Sequence, residues 1–357
     1  MNKPTLYVLV GLSGSGKSTV ATQIINKNPN TVIVSTDAVR EELTGDEKNQ
    51  SKNEIVFKIF HRRIREYLIE GINVVADATN LTMKSRRAIV MNTLGLNINK
   101  ICCVIVKRFE RCKIDNNNRL RVVPEGVIEK QLRSFQIPFK EEGWNEIFLY
   151  NFVKGKQKCI SEMREEMKGF DQKNPHHNMD LYEHSILTYE NFIARYNYSK
   201  EINTAALLHD YGKLYTQTFD KNGVAHYFEH PSVSSYYILE NLIGKHKDNM
   251  ILNMCFLANY HMMPFWWMTE KAKQRWKKRF GEYKYQMLLD FNECDTKREE
   301  MNDDYKDREC YLRQKYEHFI QTKAGQEWKE SWIKQTKSDQ DGDFGDYLYD
   351  FYPEMLL

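Results

Sequence analysis

Two groups of residues have the types and spacing for chemistry: Gly11-Leu12-Ser13-Gly14-Ser15-Gly16-Lys17-Ser18, and His209-Asp210 in a histidine-rich half further on. Glycines at 11, 14 and 16 let the backbone close tightly around an anion, so that main-chain N–H groups and the start of a following helix face nucleotide phosphates. In that frame Lys17 reaches the β- and γ-phosphates and Ser18 holds Mg²⁺, with Ser13, Ser15 and Thr19 completing the cradle. The ligand expected is ATP or another NTP with Mg²⁺.

A second apolar run delivers Ser35-Thr36-Asp37-Ala38-Val39-Arg40, which sets an aspartate and an arginine just beyond a strand end, where open sheets bind ligands. Asp37 is either the general base for an attacking hydroxyl or the cap of the next helix. A third run ends in Asp77-Ala78-Thr79-Asn80, with Arg86 and Arg87 on the helix after it. Asp77 caps that helix, or helps to hold a phosphate acceptor or the Mg²⁺ through water. Asn80 and Arg86 are counted with the acceptor site.

Eight of the ten histidines fall between His176 and His261. His184, His209-Asp210, His230 and His261 sit on or beside separate predicted helices, which a bundle can converge on one polar pocket. Imidazole and carboxylate ligands suit a divalent metal such as Mn²⁺, Ni²⁺ or Co²⁺, and no thiolates have structural-zinc spacing. Lys213 adds a cation three residues after Asp210. The run Lys271 to Arg279 is densely basic and carries Trp276. It reads as a rim for a polyanion with an aromatic to stack a base, or equally as a solvated helix face. Trp266-Trp267 line a base pocket or pack in a core.

The elements that position these groups change character along the chain. Thr5–Val10, Thr31–Val34, Asn73–Ala76 and Ile101–Val106 are short apolar runs alternating with helix-length segments such as 18–26 and 54–70, which predicts an α/β domain with a parallel sheet flanked by helices. Beyond the polar stretches at 154–158 and 171–175 the pattern is helical throughout, at 181–196, 202–208, 233–243, 249–260 and 283–291. The expected division is 1–153, a connecting helix or linker over 154–175, an all-α domain over 176–325 and an aromatic, charged tail over 326–357. The 357 residues suffice for two cores. A net charge of +3 leaves nucleic acid open as a partner. No apolar run approaches a membrane span, so a soluble, cytoplasmic protein with reduced thiols is expected. Composition leaves the oligomeric state open.

The loop Gly11 to Ser18, the segment Ser35 to Arg40, Asp77 to Asn80 and the stretch Val123-Pro124-Glu125-Gly126-Val127-Ile128 together resemble the 5′-hydroxyl polynucleotide kinase family over residues 1 to ~152. The resemblance implies that Asp37 is the general base, that Arg40 holds the acceptor, and that Arg119 or Arg121 is a lid arginine on the donor phosphates. His184, His209-Asp210-Tyr211-Gly212-Lys213, His230, His261 and Asp295 resemble the HD superfamily of metal-dependent phosphohydrolases. That likeness implies His184, His209, Asp210 and Asp295 as ligands of one metal, Asp295 being preferred to Asp290 on spacing. His230 and His261 would serve a second metal, and Lys213 and His177 would contact phosphate. The combination implies RNA or DNA end healing, with RNA, broken tRNA included, as substrate and an RNA ligase as functional partner. A small-molecule kinase fused to an HD nucleotidase shares the same logic, as does a nucleotide sensor without turnover.

Overall fold

The computed structural model describes residues 3–119, 121–174, 179–296, 321 and 326. Five strands form one all-parallel sheet: β1 (Thr5–Val10), β2 (Thr31–Ser35), β3 (Asn73–Asp77), β4 (Asn99–Val106) and β5 (Glu146–Asn151), in the order β2-β3-β1-β4-β5. β1 and β4 are apolar on both faces because helices cover both, and Leu6, Val8, Leu9, Val10 and Val104 are fully buried. The helices are α1 (Lys17–Lys27), α2 (Thr36–Thr44), α3 (Asn53–Ile69), α4 (Met83–Asn92), α5 (Phe109–Asn117) and α6 (Glu125–Arg133). On one face Val20, Ala21 and Ile24 of α1 pack on Leu9, Val75, Cys103 and Ile105 of the sheet. The parallel sheet with flanking helices agrees with the sequence expectation. β5 is not among the runs read from the sequence, although residues 147–150 are apolar; none of its residues is fully buried, in contrast to β1 and β4.

Beyond the sheet the regular structure among the described residues is helical apart from a small hairpin, β6 (Thr218–Phe219) and β7 (Ala225–His226). The helices are α7 (Ile160–Glu165), α8 (Leu181–Arg195), α9 (Lys200–Ala206), α10 (Lys213–Thr216), α11 (His230–Leu242), α12 (Asp248–Tyr260) and α13 (Glu270–Thr296). Pro231 takes the first turn of α11, where its missing N–H has no helical partner to lose. α13 is broken at Gly281, whose φ of 77° no helical residue adopts.

The chain divides into two compact units, one of residues 1–187 with 198–259, the other of residues 188–197 with 260 onward. In the first, α11 and α12 pack on the sheet domain. Phe135 meets Tyr236 edge to face at 5.1 Å, and Phe139 meets Phe256 in the same way at 5.1 Å. Asn259 accepts the Ile137 N–H at 2.6 Å and donates to the Phe135 carbonyl at 3.1 Å. In the second unit Phe192 packs edge to face on Phe291 at 5.4 Å, and the Tyr196 hydroxyl donates to Glu293 at 2.9 Å. Trp276 is 1 % exposed there, against Phe280, and Trp267 stacks on Tyr285 at 4.5 Å. Of the two alternatives the sequence leaves for Trp266-Trp267, core packing is the one seen; Trp276 is core as well, which corrects its reading as an aromatic on a rim, and the lysines, the arginines and Gln274 of that run are left for its surface.

Six of the seven cysteines are described, all with free thiols, and all but Cys159 are buried. Among the described residues no helix is long and apolar enough to cross a membrane.

Candidate functional site

β1 ends in the glycine-rich loop, and its geometry shows why each glycine is there. Gly14 has φ of 81° and Gly16 of 106°, and a Cβ on Gly14 would lie 2.2 Å from the Cys112 carbonyl oxygen. The loop is tied down by Gly11 N–H to Thr79 O at 3.1 Å and by the Asn80 amide, which donates to Leu9 O at 2.8 Å. Lys17 Nζ donates to the carbonyls of Gly11 and Leu12 at 3.0 and 2.9 Å. Burial pushes its ammonium down to about 8, with Arg119 adding to the effect and Asp77 and Asp37 opposing it.

The parallel order brings the C-terminal ends of β2, β3, β1 and β4 side by side, and each delivers a charged group. Ser35 caps α2 by accepting the Asp37 N–H, so the Asp37 carboxylate is spared that task. It pairs with Arg40 at 2.7 Å and with Arg121 at 2.5 Å. Arg40 is fixed in turn by Glu47 O and Asn53 Oδ1, at 3.3 and 3.2 Å. Asp77 does not cap α4, because Thr82 accepts the Ser85 N–H there. Burial raises the Asp77 carboxyl and the Asp37 charge adds to this, while Lys17 and Arg119 lower it. The two arginines left open by the sequence therefore separate: Arg121 sits on Asp37, and Arg119 acts on the Lys17–Asp77 side.

One expectation is corrected. Arg86 is completely buried and its guanidinium is fully used: Nε and Nη2 grip Glu142 at 2.8 and 2.6 Å, and Nη1 donates to the carbonyls of Asn80, Leu81 and Gln136. A closed fork of this kind holds backbone and has no donor left for an acceptor. Asn80, buried at 4 % exposure with φ of 46°, likewise serves the loop.

Sequence reasoning missed Lys107 and Gln131. Lys107 follows β4, and its Nζ donates to Gly14 O at 2.9 Å and pairs with Asp115 at 3.0 Å. Gln131 on α6 accepts the Ser13 N–H at 2.8 Å and donates to Ser13 Oγ at 3.1 Å. Lys107 had a signal, its place at a strand end beside β1 in a parallel sheet. Gln131 had none, since one glutamine on a helix is ordinary.

The second group assembles around Asp210 in the same unit. Its Oδ2 lies 2.7 Å from Lys213 Nζ, 3.3 Å from His209 Nε2 and 3.5 Å from His184 Nε2, and its Oδ1 lies 3.0 Å from His230 Nε2. Burial would raise this carboxyl, but the charges of His209, Lys213 and His230 and a hydrogen bond from His184 hold it well below the usual range. His209 and His230 each place Nδ1 2.8 Å from a backbone carbonyl, of Ala206 and Tyr227. With Nδ1–H donated there, a neutral ring turns the Nε2 lone pair toward the carboxylate, an arrangement that calls for a cation or a second proton. The donor set thus fits a divalent metal. Lys213 also bonds Gln172 Oε1 at 2.9 Å.

Gly212 explains itself in space: a Cβ there would lie 2.3 Å from His230 O and 2.6 Å from Ser234 N. α11 comes this close because residue 212 has no side chain. His261 and Asp295 belong to the second unit, His261 fully buried with Phe291 edge to face at 6.2 Å, Asp295 near the end of α13. Asp290 accepts the Gln286 amide at 2.7 Å. His177 and almost all of the tail lie outside the described residues.

Residues 6–138 match the family model described as an AAA domain, and the parallel sheet with its loop fits a P-loop kinase domain. The chain is similar to one in the structure of a Pnkp1/Rnl/Hen1 RNA repair complex, at 26 % identity over 38 % of this chain and 44 % of that one, with a TM-score of 0.35. It is also similar to a gluconokinase from Sinorhizobium meliloti 1021, at 18 % identity over 42 % and 83 % with a TM-score of 0.31. A fungal RNA kinase matches at 14 % identity over 46 % and 42 %, with a TM-score of 0.33. The chain spans less than half the length of the first of these.

Proposed function

We propose that this chain heals broken nucleic-acid ends at two sites, phosphorylating a 5′-hydroxyl with ATP or another NTP and removing a 2′,3′-cyclic or terminal 2′/3′ phosphate. The observation that carries the reading is that a buried carboxylate ringed by three imidazoles and an ammonium shares one compact unit with a phosphate loop whose flank holds a carboxylate–arginine pair. The four-motif resemblance to 5′-hydroxyl kinases supports a polynucleotide acceptor, and the family match over residues 6–138 supports nucleotide use.

At the first site Asp37 accepts the proton of the 5′-hydroxyl as its oxygen attacks the γ-phosphorus, and the nucleoside diphosphate leaves. Arg40, held by Glu47 and Asn53, keeps Asp37 in place, and Arg121 yields one carboxylate oxygen to the incoming hydroxyl. Lys17 and Arg119 offset the charge on the transferring group, which is most of what phosphoryl transfer asks of a protein. Ser18 and Asp77 would hold Mg²⁺, directly and through water.

At the second site His184, His209, Asp210 and His230 would hold a divalent transition metal. A metal there supplies Lewis-acid polarisation of a phosphoryl oxygen and activation of water. The Ala206 and Tyr227 carbonyls fix the imidazole tautomers, and Lys213 steadies Asp210 and offers its ammonium to the phosphate. The resulting 5′-phosphate and 3′-hydroxyl are the ends that an RNA ligase joins.

The test is a short RNA with a 5′-hydroxyl and a 2′,3′-cyclic phosphate, incubated with γ-labelled ATP, Mg²⁺ and Mn²⁺ or Ni²⁺ and analysed at both ends. Label at the 5′ end with loss of the cyclic phosphate is expected. An untouched RNA beside phosphorylated mononucleosides would replace this reading with a small-molecule kinase.

A further inference from the structure

Two hydrogen-bonded routes run from the phosphate loop to α11, the helix whose first residue is His230. From them we infer that nucleotide at the loop regulates the Asp210 site. This inference rests on the reading of the two sites given above.

The first route is α6. Gln131 accepts the Ser13 N–H at 2.8 Å, and two residues later Arg133 donates to Phe228 O at 3.3 Å and pairs with Glu229 at 3.5 Å. The second route is Lys107. Its Nζ holds Gly14 O at 2.9 Å, and its own carbonyl accepts the Tyr236 hydroxyl at 2.7 Å. Tyr236 lies on α11, about 9 Å along the axis from His230. Both routes end on the helix that points His230 Nε2 at Asp210 from 3.0 Å.

The joint between them has a reason to move. Glu229, the residue capping α11, has φ of 58°, a left-handed conformation that a residue with a Cβ adopts only when its surroundings impose it. Arg133 is the side chain holding Glu229, so the strained cap is steadied from the loop's side of the unit. An anion seated in the loop draws on the same main-chain N–H groups, including the Ser13 N–H that Gln131 now accepts. Gln131 then loses that bond and keeps only the one to Ser13 Oγ at 3.1 Å, α6 shifts, and the Arg133–Glu229 contact and the His230 position change with it. That is a differential interaction of nucleotide with two arrangements of one element, the condition for coupling between sites. The same coupling makes nucleotide affinity depend on metal loading by the same factor.

The experiment uses the full-length protein loaded with Mn²⁺ and a non-nucleotide diester, bis(p-nitrophenyl) phosphate, with and without saturating ADP and excess Mg²⁺. Amide hydrogen exchange over residues 228–236 is followed in the same samples. ADP is expected to change kcat/KM about five-fold or more and to alter exchange in that segment. Arg133→Met combined with Tyr236→Phe is expected to cut the effect below about two-fold while ADP still binds. Unchanged exchange with unchanged hydrolysis overturns the inference. So does an ADP effect that survives in Lys17→Ala, since it would then arise from metal chelation. If no diester is hydrolysed with any metal, the phosphohydrolase reading fails, and the exchange data alone still decide the coupling.

Discussion

Single residues in this molecule differ most in what their charges are spent on. The Lys17 ammonium, pushed down to about 8 by burial, has a folded pKa below its unfolded one, so the fold itself gains as pH rises from about 8 toward the unfolded value. Nucleotide binding has the opposite sign, because phosphates need the protonated form. Affinity for ADP is therefore expected to hold below pH 8 and to fall above it by up to about ten-fold per unit, measured by calorimetric titration between pH 6.5 and 9.5; a flat profile would remove Lys17 from the phosphates. Arg86 spends its charge on structure. Arg86→Met leaves Glu142 buried without its partner and is expected to cost about 3–5 kcal/mol, with Glu142→Leu added in the same chain restoring much of the loss in urea denaturation. The phosphate loop and Asp37 were legible in the sequence because glycine spacing and a strand-end carboxylate carry local constraints. Arg86 misled for the opposite reason: an arginine beside a ligand-binding strand end looks the same whether its fork faces a ligand or a glutamate 56 residues away.

At the scale of elements, the close contact of Gly212 with α11 and the placement of Glu240 decide the most. Gly212→Ala would push a methyl group into His230 O and Ser234 N, and α11 would have to back away from Asp210. Loss of tight transition-metal binding with kinase activity retained is the expected result, read by metal titration of both proteins. Glu240 on α11 accepts the Phe109 N–H at 2.8 Å, and burial raises its carboxyl to about 7, with the Phe109 hydrogen bond and the charges of Arg108 and Lys158 opposing. Its folded pKa is above the unfolded one, so the native state is favoured below the unfolded pKa and loses ground as pH climbs through 7. Glu240→Gln keeps an acceptor for Phe109 and should raise Tm at pH 8 but scarcely at pH 5; an equal change at both would put the effect elsewhere. Helices α8, α9, α11, α12 and the second half of α13 could be anticipated from their apolar spacing. The seating of α11 and α12 on the sheet domain could not, because Asn259, Tyr236 and Phe135 are unremarkable in sequence and meet only in the folded unit.

At the scale of the whole chain, the sequence suggested two sites that work separately, and the structure puts the loop and the Asp210 cluster in one compact unit. Lys17→Ala is expected to abolish 5′-phosphorylation and Asp210→Ala to abolish 3′-end processing. Each variant should retain the other basal reaction, with only its nucleotide dependence altered, in the two-ended RNA assay. The aromatic loop around Phe135, Ile137 and Phe139 also bears on how the protein is made. These side chains are almost completely buried, and the seam that covers them includes Tyr236, Phe256 and Asn259. On the ribosome the sheet is finished with β5, yet this greasy edge stays bare until Asn259 has emerged, a window in which nascent chains are prone to stick to one another or to recruit chaperones. A chain halted after residue 175 never leaves that window and should accumulate as inclusion bodies, whereas one extended through α13 should be recovered from the supernatant.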